Sequence, residues 1–456
     1  MSTFSRWVLV AAVAVAVLGS LAQGFGSPPL ATADETAHLD YAVQVWHGHL
    51  PVFENGLTIH PAFGAAPPVQ WVAQHPPLFY LLLAPVVGPL VDAGHMDAAV
   101  LAGRVENAFL AGVVVLATAW SARRILPGRP AVAAVAAIVT ALCGLVLLVG
   151  GTVYNDLLTA AFSALAIGVA ATALRSGLST RLVVLGALVT AFGMLSRLSF
   201  AVSLVAVVAA FALAPVVRSS VWRAVRVRLA AVVAVVVAPA IASGWFYWRN
   251  RELTGSITGG HPEWSQANLG RVTRPVTAVA LDPAFWHQLF AVYRFGLSAS
   301  SIVPWLLLLV PLLLAGAGAL AWCVRNRSWR GSRADRLVSA MLVCVVLATI
   351  VVELRYVAGG GAANTRYALP LLPVLAVPMA MGLTGISRLR VVLVPLWTVG
   401  AAIVFAVSID LVTVNGAPMV LVLARVAYAL ALAAIAALTA LVVPLLATLS
   451  GCRSAN

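Results

Sequence analysis

The run Trp7-Val8-Leu9-Val10-Ala11-Ala12-Val13-Ala14-Val15-Ala16-Val17-Leu18, followed shortly by Ala33-Asp34-Glu35-Thr36-Ala37-His38, decides how the rest of the chain is read. The first half opens an apolar segment, about 7–24, long enough to cross a bilayer as a helix, which needs about 20 apolar residues. The second half sets two adjacent carboxylates and an imidazole immediately beyond it. The whole 456-residue chain repeats this contrast: 62% of residues are hydrophobic, only 9% are charged, and mean hydropathy is +1.02. No soluble domain has this composition, whereas a polytopic helical membrane protein does.

The apolar segments predict an all-α protein of about twelve transmembrane helices, near 7–24, 98–120, 131–150, 153–174, 181–196, 198–216, 229–247, 299–323, 337–356, 365–385, 391–410 and 421–448. Residues 181–216 form one apolar run interrupted at Ser196-Arg197, and each half is short for a crossing. All 28 basic residues are arginine, and 18 of them fall on one side when the N-terminus is placed inside. Among these are Arg123, Arg124, Arg175, Arg218, Arg325, Arg327, Arg330, Arg388 and Arg453. That bias predicts both termini in the cytoplasm. Of the 14 acids only Asp335 falls inside, and all eight histidines fall outside. Acid–base chemistry is therefore expected at the outer face of the plasma membrane. The net charge of +14 is accounted for by topology and anionic lipid, without nucleic acid. The four cysteines predict no outer disulfide. An N-terminal signal peptide is the alternative reading of the first run.

Two long outer segments are expected, at about 25–97 and 248–298. The first is read as carrying short helices over 36–49 and 77–91, the latter lying at the membrane interface, with Thr32 or Asp34 capping the former. In the second, the tryptophans are either interface anchors or sugar-stacking surfaces.

Asp34, Glu35 and His38 form the leading candidate site. A carboxylate there can accept a proton from an attacking alcohol or hold a divalent cation; it also suits a helix N-terminus. Asn155-Asp156 lies in a short outer turn and reads either as a second site acid, able to meet Asp34, or as a cap. Arg104, Arg197, Arg366 and Tyr367 are candidates for binding phosphate, since a guanidinium matches phosphate oxygens with a planar fork. His75 and Asn155 are further substrate-binding candidates. Arg355 reads as a side chain snorkelling to the headgroups.

These pieces occur in a recognisable order: Asp34-Glu35, Gly48…Leu50-Pro51, His75-Pro76-Pro77-Leu78-Phe79-Tyr80, Gly103-Arg104, Tyr154-Asn155-Asp156, Leu195-Ser196-Arg197-Leu198-Ser199, Trp248-Arg249-Asn250 and Arg366-Tyr367-Ala368-Leu369-Pro370. The chain resembles the GT-C superfamily of membrane glycosyltransferases over most of residues 30–375. It looks closest to bacterial proteins similar to protein mannosyltransferases and aminoarabinose transferases, including DUF2142-type integral membrane proteins. The resemblance implies a catalytic transmembrane module at 1–375 and further helices at 376–456. It implies transfer of a sugar from a polyprenyl-phosphate donor to a lipid, glycan or protein acceptor, with inversion. Asp34 or Glu35 is then the base or a metal ligand, Asp156 the second acid, and Mg or Mn a possible cofactor held by Asp34 and Asp156. Arg197 stands where relatives carry a lysine-like residue, and Asn364-Thr365 stands where they have Gln-Gly. A lipid-linked-sugar flippase, or a non-catalytic scaffold of an envelope assembly complex, is the rival expectation. The near absence of charge at span midpoints argues against the flippase.

Overall fold

The computed structural model describes residues 3–216, 220–293, 301–326, 331–386, 388–413 and 418–451. Arg218, Arg327, Arg330 and Arg453 of the charge pattern lie outside them, and the side chain of Arg325 is likewise not described. The described chain is helical, with no strand. Its first half contains α1 (Thr3–Gly26), α2 (Ala33–Trp46), α3 (Leu78–Asp92), α4 (Met96–Ile125), α5 (Pro130–Ala141), α6 (Gly144–Gly150), α7 (Asp156–Ser176), α8 (Thr180–Ser196) and α9 (Ala201–Leu213). The second half contains α10 (Val221–Thr254), α11 (Pro262–Leu269), α12 (Val276–Ala280), α13 (Pro283–Phe290), α14 (Val303–Asn326), α15 (Arg333–Ala358), α16 (Leu372–Gly385), α17 (Arg390–Thr413) and α18 (Pro418–Gly451).

Nine of the described helices are long and apolar enough to cross a membrane, against the twelve spans expected. The difference has a local origin at each place. α5 and α6 form one apolar segment bent by 54°, and α8 and α9 are too short to pass singly. The break between the latter two falls at Ser196-Arg197, where Gly193 lets the Phe200 ring fold back onto α8; a Cβ on Gly193 would stand 2.4 Å from that ring. α1 is apolar on every side and packs against α4 and α18, so the C-terminal helices close onto the first span. α1 and α6 approach backbone to backbone: a Cβ on Gly151 would lie 2.7 Å from the Gly24 nitrogen. Small residues serve helix association in lipid in this way. α7 is the central helix, 83% buried over its apolar window.

α2 and α3 pair with each other at one end of the bundle, over a core of Ala37, Tyr41, Phe79, Leu83 and Val87. Thr32 is the α2 cap, accepting from the Glu35 amide at 3.2 Å. The segment between α2 and α3 is irregular but pinned. Buried Asp40 accepts from the Thr58 amide and hydroxyl, the Ile59 amide, Gln44 and Gln70 at 2.5–2.9 Å. α10 has 34 residues, about 50 Å at 1.5 Å per residue, which exceeds a bilayer's hydrocarbon core of about 30 Å. Its C-terminal turns carry Trp248-Arg249-Asn250 to the α2 end. There Arg249 donates to the Pro51 carbonyl at 2.7 Å and Asn250 to the Gln74 carbonyl at 3.1 Å. At the opposite end Asp335, the one acid expected inside, pairs with Arg175 at 2.8 Å.

Candidate active site at the α2–α7 end of the bundle

Asp34 and Glu35 are adjacent on the first turn of α2, and about 100° of helical rotation per residue sends them to different surroundings. Glu35 is fully buried. Arg104 of α4 grips it bidentately, Nε to Oε1 at 2.8 Å and Nη2 to Oε2 at 2.7 Å, and the Val153 amide donates to Oε1 at 3.2 Å. The remaining Arg104 N–H groups donate to the carbonyls of Gly24, Ser27 and Pro28 at 2.6–2.8 Å. All five guanidinium donors are thereby used on the protein itself. The expectation that Arg104 binds phosphate and that Glu35 competes with Asp34 as base therefore gives way to a structural pairing. It ties α1, α2, α4 and the turn before α7 together.

Asp34 keeps 31% of its side chain exposed and faces a cavity of about 620 Å³. Its Oδ2 accepts from Nη2 of Arg366. Arg366 sits in the 3₁₀ turn Thr365–Leu371 that leads into α16, placed by Asn364, whose side chain accepts from the Arg366 amide at 3.0 Å. The other Arg366 nitrogen lies 3.6 Å from Oδ2 of Asp156, the first residue of α7. Asp156 Oδ1 in turn accepts from Arg197, in the break between α8 and α9. Asp34, Arg366, Asp156 and Arg197 thus form a chain of alternating charge drawn from four separate parts of the sequence. Arg366 also lies over the Tyr154 ring at 4.3 Å, and Arg197 over Tyr367 at 5.4 Å.

The remaining candidates fall into two groups. His38 and His75 line the cavity with parallel rings 6.1 Å apart, and His38 Nδ1 pairs with the Tyr80 hydroxyl at 2.8 Å. Burial, reinforced by Arg366 and Arg197, holds both imidazoles well below their usual pKa, so they are neutral at pH 7. Asn155 is buried beneath the site rather than facing the cavity. It accepts from Arg197 at 3.3 Å and so helps place that guanidinium. Of the loop tryptophans weighed for stacking, Trp264 lines the cavity, while Trp248 is exposed elsewhere and Trp286 donates to the Ala280 carbonyl.

Three further features shape the site in ways their residue types did not announce. Tyr154 joins the two halves of the site, its ring under Arg366 and its hydroxyl 2.7 Å from Thr32; the quoted Tyr-Asn-Asp motif contained that signal. Burial pushes the Tyr154 phenol up to about 12. Arg249 and Asn250 staple the second long loop to the first. Arg355, read as a headgroup anchor, lines the cavity.

The donor set does not suit a resident divalent cation. The described residues contain no group of three or more His, Cys, Asp or Glu arranged around one point. The Arg366 guanidinium lies between Asp34 and Asp156, the two carboxylates expected to share a metal.

The helical bundle is similar in fold to solved membrane-protein structures. Among solved structures, the archaeal oligosaccharyltransferase AglB of Archaeoglobus fulgidus, in complex with an inhibitory peptide and a dolichol-phosphate, matches with a TM-score of 0.51 at 12% identity, over 90% of this chain and 56% of that one. ArnT of Cupriavidus metallidurans, bound to undecaprenyl phosphate, matches with a TM-score of 0.48 at 14% identity, over 96% of this chain and 78% of that one. The likeness is one of fold, and the chain spans a little over half the length of the archaeal protein. No protein-family model and no curated protein sequence matches the chain, so the narrower DUF2142-type resemblance gains no support from them.

Proposed function

We propose that the protein is a polyprenyl-phosphate-sugar-dependent glycosyltransferase acting at the outer face of the plasma membrane, with both termini cytoplasmic. The observation that carries this reading is the partly exposed Asp34 at the wall of a 620 Å³ cavity, ion-paired to an arginine that also reaches Asp156. Residues 1–375 supply the catalytic module and 376–456 the closing helices. The acceptor is an envelope glycan, lipid or protein.

The transfer is a single displacement. The acceptor hydroxyl loses its proton to Asp34, its oxygen bonds to the anomeric carbon, and the bond from that carbon to the phosphate oxygen breaks, with inversion. The electron pair leaves on the lipid phosphate, whose charge Arg366 stabilises with Arg197 behind it, as preorganised positive charge does for developing negative charge. Without donor, Asp34 and Asp156 hold Arg366. The incoming phosphate competes for that guanidinium, which frees Asp34 to act as base when donor is present. His38 and His75, neutral and stacked, are placed to contact sugar hydroxyls. The proposed step takes its positive charge from Arg366 and Arg197, the guanidinium of Arg366 standing between the two carboxylates.

Purified protein in proteoliposomes, given radiolabelled polyprenyl-phosphate sugars with membrane-envelope extract as acceptor source, tests this reading. Transfer that persists in chelator is expected. Donor binding without any transfer, or movement of donor between leaflets without transfer, would replace the enzyme by a scaffold or a flippase.

A further inference from the structure

The charges around the cavity do not balance. Four arginines line it, Arg197, Arg271, Arg355 and Arg366, against one lining carboxylate, Asp34. With Asp156 behind the wall, Arg366 and Arg197 are matched. Arg271 and Arg355 are not: among the described residues neither side chain has an ion-pair or hydrogen-bond partner. Their neighbour Arg274 shows that the loop can supply one, since it pairs with Asp282 at 2.9 Å.

The two unmatched arginines come from separate elements held together by backbone. The Arg274 amide donates to the Ala358 carbonyl at 2.9 Å, which lays the irregular stretch 271–274 beside the turn that ends α15. Gly360, in the left-handed region at φ 94°, makes that turn, and its Cβ position is 3.8 Å from Cβ of Arg271. Arg355 stands one turn earlier on α15. Trp264 and the half-exposed Tyr356 line the same part of the cavity and offer flat apolar faces of the size of a sugar ring.

We propose that Arg271 and Arg355 form a second anion subsite, for an acceptor glycan that carries a phosphate or similar anionic group. Two uncompensated guanidinium forks facing a shared cavity attract a phosphate dianion and fix its orientation. Trp264 and Tyr356 stack on the attached sugar. The subsite is separate from the Arg366–Arg197 pair assigned to the donor phosphate. This inference rests on the transferase reading for its biological role, but anion binding at the subsite is measurable without turnover.

The test uses the full-length protein in nanodiscs of neutral lipid, with two probes: mannose 6-phosphate for the acceptor subsite and undecaprenyl phosphate for the donor subsite. Arg271→Gln/Arg355→Gln is expected to weaken mannose 6-phosphate binding at least tenfold and to change undecaprenyl phosphate binding less than twofold. Arg366→Gln is expected to do the reverse. Equal binding of mannose 6-phosphate and mannose by the wild type overturns the anion subsite. Loss of undecaprenyl phosphate binding in the Arg271/Arg355 variant, with mannose 6-phosphate unaffected, assigns these arginines to the donor and overturns the acceptor reading. Retained undecaprenyl phosphate binding in Arg366→Gln counts against the donor assignment alone. If instead wild-type binding of mannose 6-phosphate disappears when anionic lipid replaces neutral lipid, the arginines serve headgroups and the proposal fails.

Discussion

At the residue scale, the central fact is that two neighbouring acids have different work. Glu35 is locked to Arg104 with every guanidinium donor used, whereas Asp34 is partly exposed and shares its arginine with Asp156. Removing one partner of a buried pair leaves the other charged and unmatched, at a cost of about 3–5 kcal/mol. Glu35→Gln and Arg104→Gln are therefore expected to lower thermal stability and yield of folded protein strongly, while Asp34→Asn leaves both near wild type; thermal unfolding in detergent by intrinsic fluorescence checks this. The adjacency was legible in the sequence, but which acid faced the cavity was not. That choice depends on where Arg104 and Arg366 stand, one 69 residues and the other 332 residues away along the chain. The histidines add a pH dependence. His38 and His75 are buried with depressed pKa values, so below about pH 6.5 the unfolded chain takes up protons that the folded chain resists. Stability is full above that pH and falls as pH drops, by up to about 1.4 kcal/mol per unit for each histidine until its folded pKa is reached. Unfolding measured from pH 7.5 to 5 is expected to show this loss, and His75→Gln to reduce it.

At the scale of elements, breaks matter more than spans. The site residues sit where helices start or stop: Asp34 on the first turn of α2, Asp156 at the head of α7, Arg197 between α8 and α9, and Arg366 in the turn before α16. Hydropathy located those breaks because each is a polar interruption in an apolar run, and Thr32 was readable as a cap from its residue type. The loop-to-loop contacts were not readable. Asn250 donating to the Gln74 carbonyl joins residues 176 apart through a backbone group, which no residue pattern announces. Asn250→Ala removes that bond, for about 1 kcal/mol, and leaves the Gln74 carbonyl unsatisfied. Faster hydrogen exchange and proteolysis across residues 255–275 are expected, with the transmembrane helices unchanged in hydrogen-exchange mass spectrometry. Unchanged exchange in the loop would mean that the staple does not hold the cavity wall.

At the scale of the whole molecule, composition alone pointed to a helical membrane protein, and the order of motifs implied a GT-C-like scaffold; the described residues share their fold with the archaeal oligosaccharyltransferase. The span count departs from the twelve expected because a segment bent at Leu142-Cys143 and a hairpin of two short helices are both continuous apolar sequence. The asymmetry of charge became a site only in three dimensions, where four ionised groups from distant segments meet at one end of the bundle. The most direct test of the central claim, that Asp34 is the base of a transfer reaction, is turnover by Asp34→Asn in proteoliposomes supplied with labelled polyprenyl-phosphate sugar. The account predicts that transfer falls at least a hundredfold while undecaprenyl phosphate still binds and thermal stability is retained. Transfer at the wild-type rate by this folded variant would contradict it.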